Sequence, residues 1–395
     1  MKKEKLFTGL EASSKGVTEV AESSWSSPLA PYVLDSLPVD LTAVTDGHMT
    51  YGQLAEKHDG LLSALAADAL VVDDLSQART IQLDLLFMRG GFLPAGPHIA
   101  PRAVLDAIQA QCARFPSLDP HMSYELLIDV NSNEWNRSGN MRVFTEGELG
   151  LLERDFYLGH YLAEPTVRAA ADSILMLIHE PDTVDKTEVL EGAVRHLDDF
   201  RLYMAQYNNL PSDAFNSFRR YHMGHPGGPR GASGAFMPSV QLLELALLAP
   251  TTEHGVYLDQ AMPYFPQWSR SLIAEARESS IRGDNVVQSV LDGRLKLDHE
   301  GTSALLAVID KFADFRMVHL GVTRKAIPEA FPPGSTVTRR GIAQQAGEAD
   351  ILNEDNLGTS GFSVRNVLTN SVYRLLAARR SIASHAEATA DERRK

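Results

Sequence analysis

The sequence predicts an all-α protein, because helical periodicity dominates it and strand-like patterns are rare. Apolar residues recur at steps of three and four along most of the 395 residues, the spacing that places them on one helix face. Runs rich in Val, Ile and Thr with strict alternation are scarce. Residues 184–208 illustrate the pattern, with Leu190, Val194, Leu197 and Met204 on one side and charges opposite. Such amphipathic segments are typical of a helical bundle.

The predicted elements follow this periodicity in order along the chain. Helices are expected over residues 51–66, 74–89, 102–115, 147–163, 165–179, 184–208, 236–248, 267–281, 300–325 and 363–382. The segment YELLIDVN, residues 124–131, is the best candidate for a short strand. Residues 221–234, dense in Gly and Pro, and residues 327–361 interrupt the pattern. Residues 327–361 are too many for a simple connector, and loops of this length usually have a function or are mobile.

Composition also divides the chain into regions. Residues 1–26 are polar and Ser-rich, so we expect them to be disordered, and residues 384–395 read as a disordered tail. A composition shift near residue 145 separates a mostly helical N-terminal region, 27–145, from a larger helical domain, 146–383. That larger domain contains the expected mobile loop, 327–361.

Charge and cysteine content exclude several classes of protein. The net charge of −14 argues against nucleic acid or an anionic membrane surface as the main partner. The single cysteine, Cys112, permits no intramolecular disulfide and no Cys-rich metal site. The N-terminus lacks the apolar run of a signal peptide, and no segment approaches the roughly 20 apolar residues of a membrane span. We therefore expect a cytoplasmic protein without membrane contact.

Two short motifs fit known sites poorly. HMGH places His222 and His225 three apart, but no Asp, Glu or Cys follows at ligand spacing, so a zinc site there is not expected. GPRGASG lacks the Gly-Lys-Ser/Thr ending of a phosphate-binding loop.

One histidine interrupts an apolar helix face. Leu305, Val308, Phe312 and Phe315 form a stripe at steps of three and four, and His319 is the next position on it. A buried imidazole in such a place is often structural and hydrogen-bonded to a backbone carbonyl. The functional alternative is a metal or haem ligand, because an imidazole on an apolar wall suits a flat hydrophobic cofactor that needs one axial nitrogen.

Four segments, in the same order, resemble the indoleamine and tryptophan 2,3-dioxygenase superfamily. They are DFYLGHYLAE (155–164), DAFNSFRRYHMG (213–224), GASGAFMPSVQLLELALL (231–248), and FRMVHLGVTRKAI (315–327) followed after a long loop by LGTSGFSVRNVLTNSVYRLLAARR (357–380). The resemblance covers roughly residues 150–382 and implies an all-α haem-binding domain. The layout is also compatible with the branch that contains monodechloroaminopyrrolnitrin synthase.

The resemblance implies a role for each matched residue. His319 would be the axial ligand of haem b iron, and Arg316 would pair with Glu244 to orient the ligand helix, although a plain salt bridge between two helices would look the same. Arg220 would bind a substrate carboxylate, rather than being a solvated charge, and His160 would orient an indole N–H, rather than being structural. The remaining matches are Ser233 and Gly234 in the turn lining the haem pocket, and Gly358, Thr359, Ser360 and Gly361 in the substrate loop.

The implied function is a haem-dependent oxygenase that inserts oxygen from O2 into an indole or related aromatic amino acid. Ser360 and Phe362 replace the family's glycine and small hydroxyl residue, and Asn216 replaces a pocket aromatic, so the substrate pocket is expected to differ. One alternative is a biosynthetic haem enzyme of the same superfamily that hydroxylates or rearranges its substrate. Another is a haem-free helical binding protein. The sequence leaves open whether the chain forms a homo-oligomer.

Overall fold

All regular elements of the described structure are helical, so the all-α prediction is confirmed. The structure is a computed structural model, and it describes residues 27–66, 68–96, 99–133, 136–222, 236–326 and 364–392. Its α-helices are α1 (Leu37–Thr45), α2 (Tyr51–Ala64), α3 (Leu75–Gly90), α4 (Arg102–Arg114), α5 (Gly147–His179), α6 (Lys186–Ala205), α7 (Ser212–Arg219), α8 (Pro238–Leu247), α9 (Thr252–Ala261), α10 (Gln267–Ile281), α11 (Val286–Leu291), α12 (His299–Ala326) and α13 (Val364–Glu392).

Shorter helical turns complete the described structure. Three have the wider π geometry and three the tighter 3₁₀ geometry among these residues: Tyr32–Ser36, Glu125–Val130 and Asn136–Asn140, then Leu93–Ala95, Gln206–Asn209 and Met262–Tyr264. No described helix has the length and apolar composition needed to cross a membrane. The predicted loop 327–361 and the N-terminal residues 1–26 lie outside the described residues.

The strand predicted over 124–131 is wrong, because this segment is helical from Glu125 to Val130. Leu126, Leu127 and Ile128 are consecutive in sequence and all buried. A short continuous apolar run fits a buried strand and a buried helical turn equally well. Here the surrounding helices provide the burial, and the described residues contain no strand with which the segment could pair.

Two helix boundaries also differ from the prediction. The helices expected over 147–163 and 165–179 form the single helix α5, which continues through Pro165. Proline removes one backbone donor, but Ala163 and Val167 on either side are fully buried, so packing outweighs that loss. The tail predicted over 384–395 is wrong as far as Glu392, where α13 ends. Its sequence there, SIASHAEATADE, is rich in Ala and Glu, which favour helix.

The chain forms two compact units. The first unit comprises the described residues of 27–161 and 209–222, and the second unit those of 162–208, 236–326 and 364–392. The division therefore falls inside α5, after Tyr161, whereas the composition shift lies near residue 145.

The first unit has α3 at its centre. This helix packs against α4 and against the turn Glu125–Val130, and nearly all of its residues from Ala78 onward are buried. The ring of Phe144 stacks on Phe87 and on Tyr221, with centroid distances of 4.5 and 4.8 Å. Arg142 and Asp84 form a fully buried ion pair of 2.7 Å in the same unit.

The second unit is organised around α12, which packs against α6 and α13. The four stripe residues Leu305, Val308, Phe312 and Phe315 are all buried, as their spacing predicts. Phe315 contacts Phe200 of α6 at a centroid distance of 4.5 Å. A second group consists of α8, α10 and α11, and all ten residues of α8 are buried. A polar side chain on α8 must therefore find its partners inside the protein.

Candidate functional site

The residues to which the resemblance assigns a role fall in both units. His160 and Arg220 belong to the first unit, and Glu244, Arg316 and His319 belong to the second. Ser233, Gly234, Gly358, Thr359, Ser360 and Gly361 lie outside the described residues.

The expected ion pair between Arg316 and Glu244 is present. Arg316 Nη2 on α12 donates to Glu244 Oε2 on α8 at 2.6 Å. Glu244 is 2% exposed and the side chain of Arg316 is 6% exposed, so the pair is shielded from solvent. Above the guanidinium lie the rings of Phe312 and Phe315, with centroids 5.2 and 5.8 Å from Arg316 Cζ. These contacts fix the turn of α12 that precedes His319.

Glu244 has three further neighbours that sequence reasoning missed. From α13, Ser371 Oγ donates to Glu244 Oε2 at 2.9 Å and Arg374 Nη1 donates to Glu244 Oε1 at 2.8 Å. Arg374 Nη1 also lies 3.1 Å from His254 Nδ1 on α9. We call Glu244, Arg316, Ser371, Arg374 and His254 the Glu244 cluster. Ser371 and Arg374 are three residues apart on one helix, so they share a face, and this spacing is the signal that the sequence contains.

The charges in the Glu244 cluster do not cancel. Burial alone would raise the pKa of Glu244, but Arg316 and Arg374 lower it to about 2. Burial lowers the pKa of His254 to about 4 and also lowers that of Arg374. At neutral pH one carboxylate therefore faces two guanidinium groups and a neutral imidazole. Because arginine only donates, His254 Nδ1 must accept from Arg374, and the proton on Nε2 faces Gln241 Oε1 at 3.2 Å.

The Glu244 cluster lines a small polar cavity of about 30 Å³, enough room for a water molecule. Arg316 Nε is buried and has no hydrogen-bond partner among the described residues. A second cavity of about 100 Å³ lies between α5, α8 and α10 and has a mostly aliphatic lining, including Leu175, Leu242 and Leu272. Neither of these two cavities is lined by His319.

His319 follows Arg316 by three residues on α12, so the two side chains are neighbours on the helix surface. Its imidazole is half-buried, and its ring lies 5.9 Å from the ring of Phe315, centre to centre. The hydroxyl of Thr323 donates to the His319 carbonyl at 2.8 Å. His319 is thus one turn beyond a braced and buried part of the helix.

The resemblance implies a haem at His319, which needs fewer protein ligands than a metal ion held by side chains alone. No group of three or more His, Cys, Asp or Glu side chains in the described ranges is placed to hold a metal ion. A haem needs only one protein nitrogen, because the porphyrin supplies the other four ligands. A half-buried imidazole beside an aromatic ring, on a helix braced by an ion pair, meets that requirement.

His160 is buried on α5 and is neutral at neutral pH. Its Nδ1 lies 2.9 Å from the Phe156 carbonyl oxygen, which can only accept, so Nδ1 carries the proton and Nε2 is the acceptor. Burial lowers the pKa of His160 to about 4. The rings of Phe156 and Tyr124 lie 4.6 and 6.4 Å away. This tautomer suits acceptance of a hydrogen bond from an N–H group, which is the role that the resemblance implies.

Arg220 follows α7 and is exposed. Its Nη1 donates to Thr45 Oγ1 at 3.2 Å. The structure places this guanidinium at the surface of the first unit, so its role as a carboxylate ligand stays a prediction.

Sequence reasoning also missed a buried acid–tyrosine–histidine chain in the first unit. Tyr157 donates to Glu153 Oε1 at 2.5 Å, so its oxygen accepts from His222 Nε2 at 2.9 Å. Glu153 also accepts from the Phe144 and Thr145 backbones and from the Thr145 hydroxyl. Burial raises the pKa of Glu153 to about 7 and lowers that of His222 to about 3. These bonds tie the end of the Arg220 segment to α5, and they occupy one of the two histidines of HMGH.

The chain matches no protein-family model and no curated protein sequence.

Proposed function

We propose that this protein is a haem-dependent oxygenase acting on an indole or a related aromatic amino acid, in which His319 would bind the haem iron. The observation that supports the proposal is the buried ion pair between Arg316 and Glu244. The resemblance places these two residues together although 72 positions separate them in the chain. An exposed ion pair would give the proposal little support. A buried charged side chain is rare unless it is paired, so a buried pair at the two positions that the resemblance assigns supports the proposal more strongly.

Each residue has a stated task in this proposal. Glu244 and Arg316 hold the turn of α12 that precedes His319, and so would keep the imidazole in one orientation when it binds the iron, as outer-shell residues do in other metal sites. His160 accepts the substrate N–H at Nε2, and Arg220 binds the substrate carboxylate with its planar fork. When bound, the haem supplies the iron at which dioxygen is activated. Residues 233–234 and 358–361 are assigned to the haem turn and the substrate loop by the resemblance alone.

Haem binding is tested by expressing the chain with a haem precursor and recording the Soret band of the purified protein. We expect His319→Ala to lose or strongly shift the band, added imidazole to restore it in part, and circular dichroism to stay unchanged. His299→Ala is the matched control, because His299 is an exposed histidine at the start of the same helix. A colourless wild-type protein would refute the proposal and favour a haem-free binding protein.

Oxygenase activity is tested with tryptophan and other indoles under ascorbate and oxygen. Ring cleavage gives an N-formylkynurenine-type product that absorbs in the near ultraviolet. Hydroxylation gives a product that retains the indole ring, and rearrangement gives a product with a rearranged ring. We expect His160→Ala to slow turnover and Arg220→Leu to raise the KM for substrates with a carboxylate. An unchanged KM in Arg220→Leu would contradict the role of Arg220.

A further inference from the structure

One carboxylate connects three helices of the second unit. Glu244 on α8 accepts from Arg316 on α12 and from both Ser371 and Arg374 on α13. Arg316 and Ser371 bind Oε2, whereas Arg374 binds Oε1. Both oxygens are therefore engaged, and the two partners from α13 determine how the carboxylate is rotated when it meets Arg316.

A different ion pair joins α12 and α13 directly. Arg379 of α13 binds Asp310 of α12 through Nε at 2.8 Å, with side chains 40% and 30% exposed. Arg374 is 13% exposed, so its bond to Glu244 is much less screened by water. The Arg379–Asp310 pair is half-buried and lies outside the Glu244 cluster. It provides a comparison with a more solvated ion pair of the same helix α13.

We propose that Arg374 and Ser371 are positioning residues for the part of α12 that carries His319. They hold the Glu244 carboxylate in the orientation that binds Arg316, and Arg316 in turn holds the next turn of the helix. The inference rests on the proposed function only in naming His319 as the residue that benefits. The positioning itself is a property of the protein without haem.

Two observations favour this direction of influence. Glu244 lies on α8, whose ten residues are all buried, so the backbone that carries the carboxylate is held in place. Arg316 has one hydrogen bond to that carboxylate, and its Nε has no partner among the described residues. Its orientation therefore depends strongly on where the carboxylate points. A rotation of the carboxylate would release Arg316, and the adjacent turn would lose its fixed point.

The first test measures amide hydrogen exchange in peptides that cover residues 313–326 of the haem-free full-length protein. We expect Arg374→Met to raise exchange there by about tenfold, because it removes the bonds of Arg374 to Glu244, His254 and the Ala249 carbonyl and so shifts a local opening equilibrium. Arg374→Lys is expected to recover part of the protection. Arg379→Met is expected to leave exchange in these peptides within about twofold of wild type. Equal effects of Arg374→Met and Arg379→Met, or no effect of either, would overturn the inference.

Ser371→Ala provides a second and milder variant if Arg374→Met does not fold. It removes one hydroxyl from Glu244 Oε2 and leaves both arginines in place. We expect the same peptides to exchange about two- to threefold faster. Unchanged exchange in Ser371→Ala would contradict the role of Ser371.

The second test uses protein loaded with haem and records the iron–imidazole stretching band by resonance Raman spectroscopy. We expect this band to shift in Arg374→Met, to return toward its wild-type position in Arg374→Lys, and to stay in place in Arg379→Met. A contribution of Arg374 to fold stability alone would not move the band at equal haem content. If the wild-type protein takes up no haem, the proposed function fails and the exchange experiment still decides the positioning role.

Discussion

Replacing Glu244 by glutamine is expected to be among the most destabilising single changes in the second unit. The substitution keeps the size of the side chain but removes the charge that faces Arg316 and Arg374, whose side chains are 6% and 13% exposed. Removing one partner of a buried ion pair costs about 3–5 kcal/mol, because the remaining charge is left uncompensated away from water. Two guanidinium groups lose their counter-ion here, so we expect the upper part of that range.

The effect is measured by thermal unfolding at pH 7, followed by circular dichroism and by scanning calorimetry. For a unit of about 150–250 residues, each kcal/mol lowers Tm by about 2–4 °C, so a loss of about 4–5 kcal/mol should lower Tm by roughly 8–20 °C. The control is Asp310→Asn, which removes the charge pair with Arg379, whose side chains are 30% and 40% exposed, and is expected to cost about 0–1 kcal/mol.

A loss of unfolding free energy in Glu244→Gln that equals the loss in Asp310→Asn would refute the reasoning, because it would mean that the Glu244 cluster is solvated. A further variant examines the cause. Replacing Glu244, Arg316 and Arg374 together by apolar residues is expected to recover much of the lost stability, since a buried ionic cluster exchanged for packed apolar groups is often neutral.

Two further predictions concern pH and glycine packing. Six buried groups have strongly shifted pKa values: His58, His160 and His254 at about 4, His222 at about 3, and Glu153 and Glu164 at about 7. Between about pH 4.5 and 6.5 the four histidines are protonated in the unfolded chain but not in the folded one. The two glutamates are protonated in the folded chain but not in the unfolded one, so the unfolded chain binds about two more protons. The free energy of unfolding should therefore rise with pH in this window, by roughly 1.4 kcal/mol per pH unit for each of about two net protons. Urea unfolding midpoints that are flat or fall across the window would contradict this. At Gly90 an added Cβ would lie 2.7 Å from the Phe144 ring, so Gly90→Ala should lower stability by about 1–3 kcal/mol. At Gly60, on α2, a Cβ meets nothing within 4 Å, so Gly60→Ala should raise stability by about 0.5–1 kcal/mol. A similar Tm for the two variants would contradict both expectations.

The longer helices were predictable because their buried faces recur at helical spacing. The stripe from Leu305 to Phe315 is buried as its spacing indicates, and α10 has the expected bounds. The short helices α9 and α11 were missed, although Thr251 and Asn285 cap them through His254 N and Gln288 N. A single cap is a weak signal when only a few apolar positions follow it.

The candidate site was predictable only in part. The pairing of Arg316 with Glu244 followed from matched positions, but nothing in the sequence pairs Ser371 and Arg374 with Glu244. The buried chain of Glu153, Tyr157 and His222 was also invisible, because His222 lies 65 positions from Tyr157. Polar residues reveal such partners only once tertiary packing brings them together, since their types and spacing alone match ordinary surface positions.

The arrangement around Glu244 has a consequence for how this protein can evolve. If Glu244 is lost first, the guanidinium groups of Arg316 and Arg374 remain without their carboxylate. If one arginine is lost first, Glu244 loses one of its hydrogen-bond donors. Either intermediate loses buried bonds to Glu244 and is expected to be less stable than its parent, so positions 244, 316 and 374 should be inherited or replaced as a set. Comparison of natural homologues should show correlated substitution at these three positions, whereas residues 310 and 379 should vary more freely.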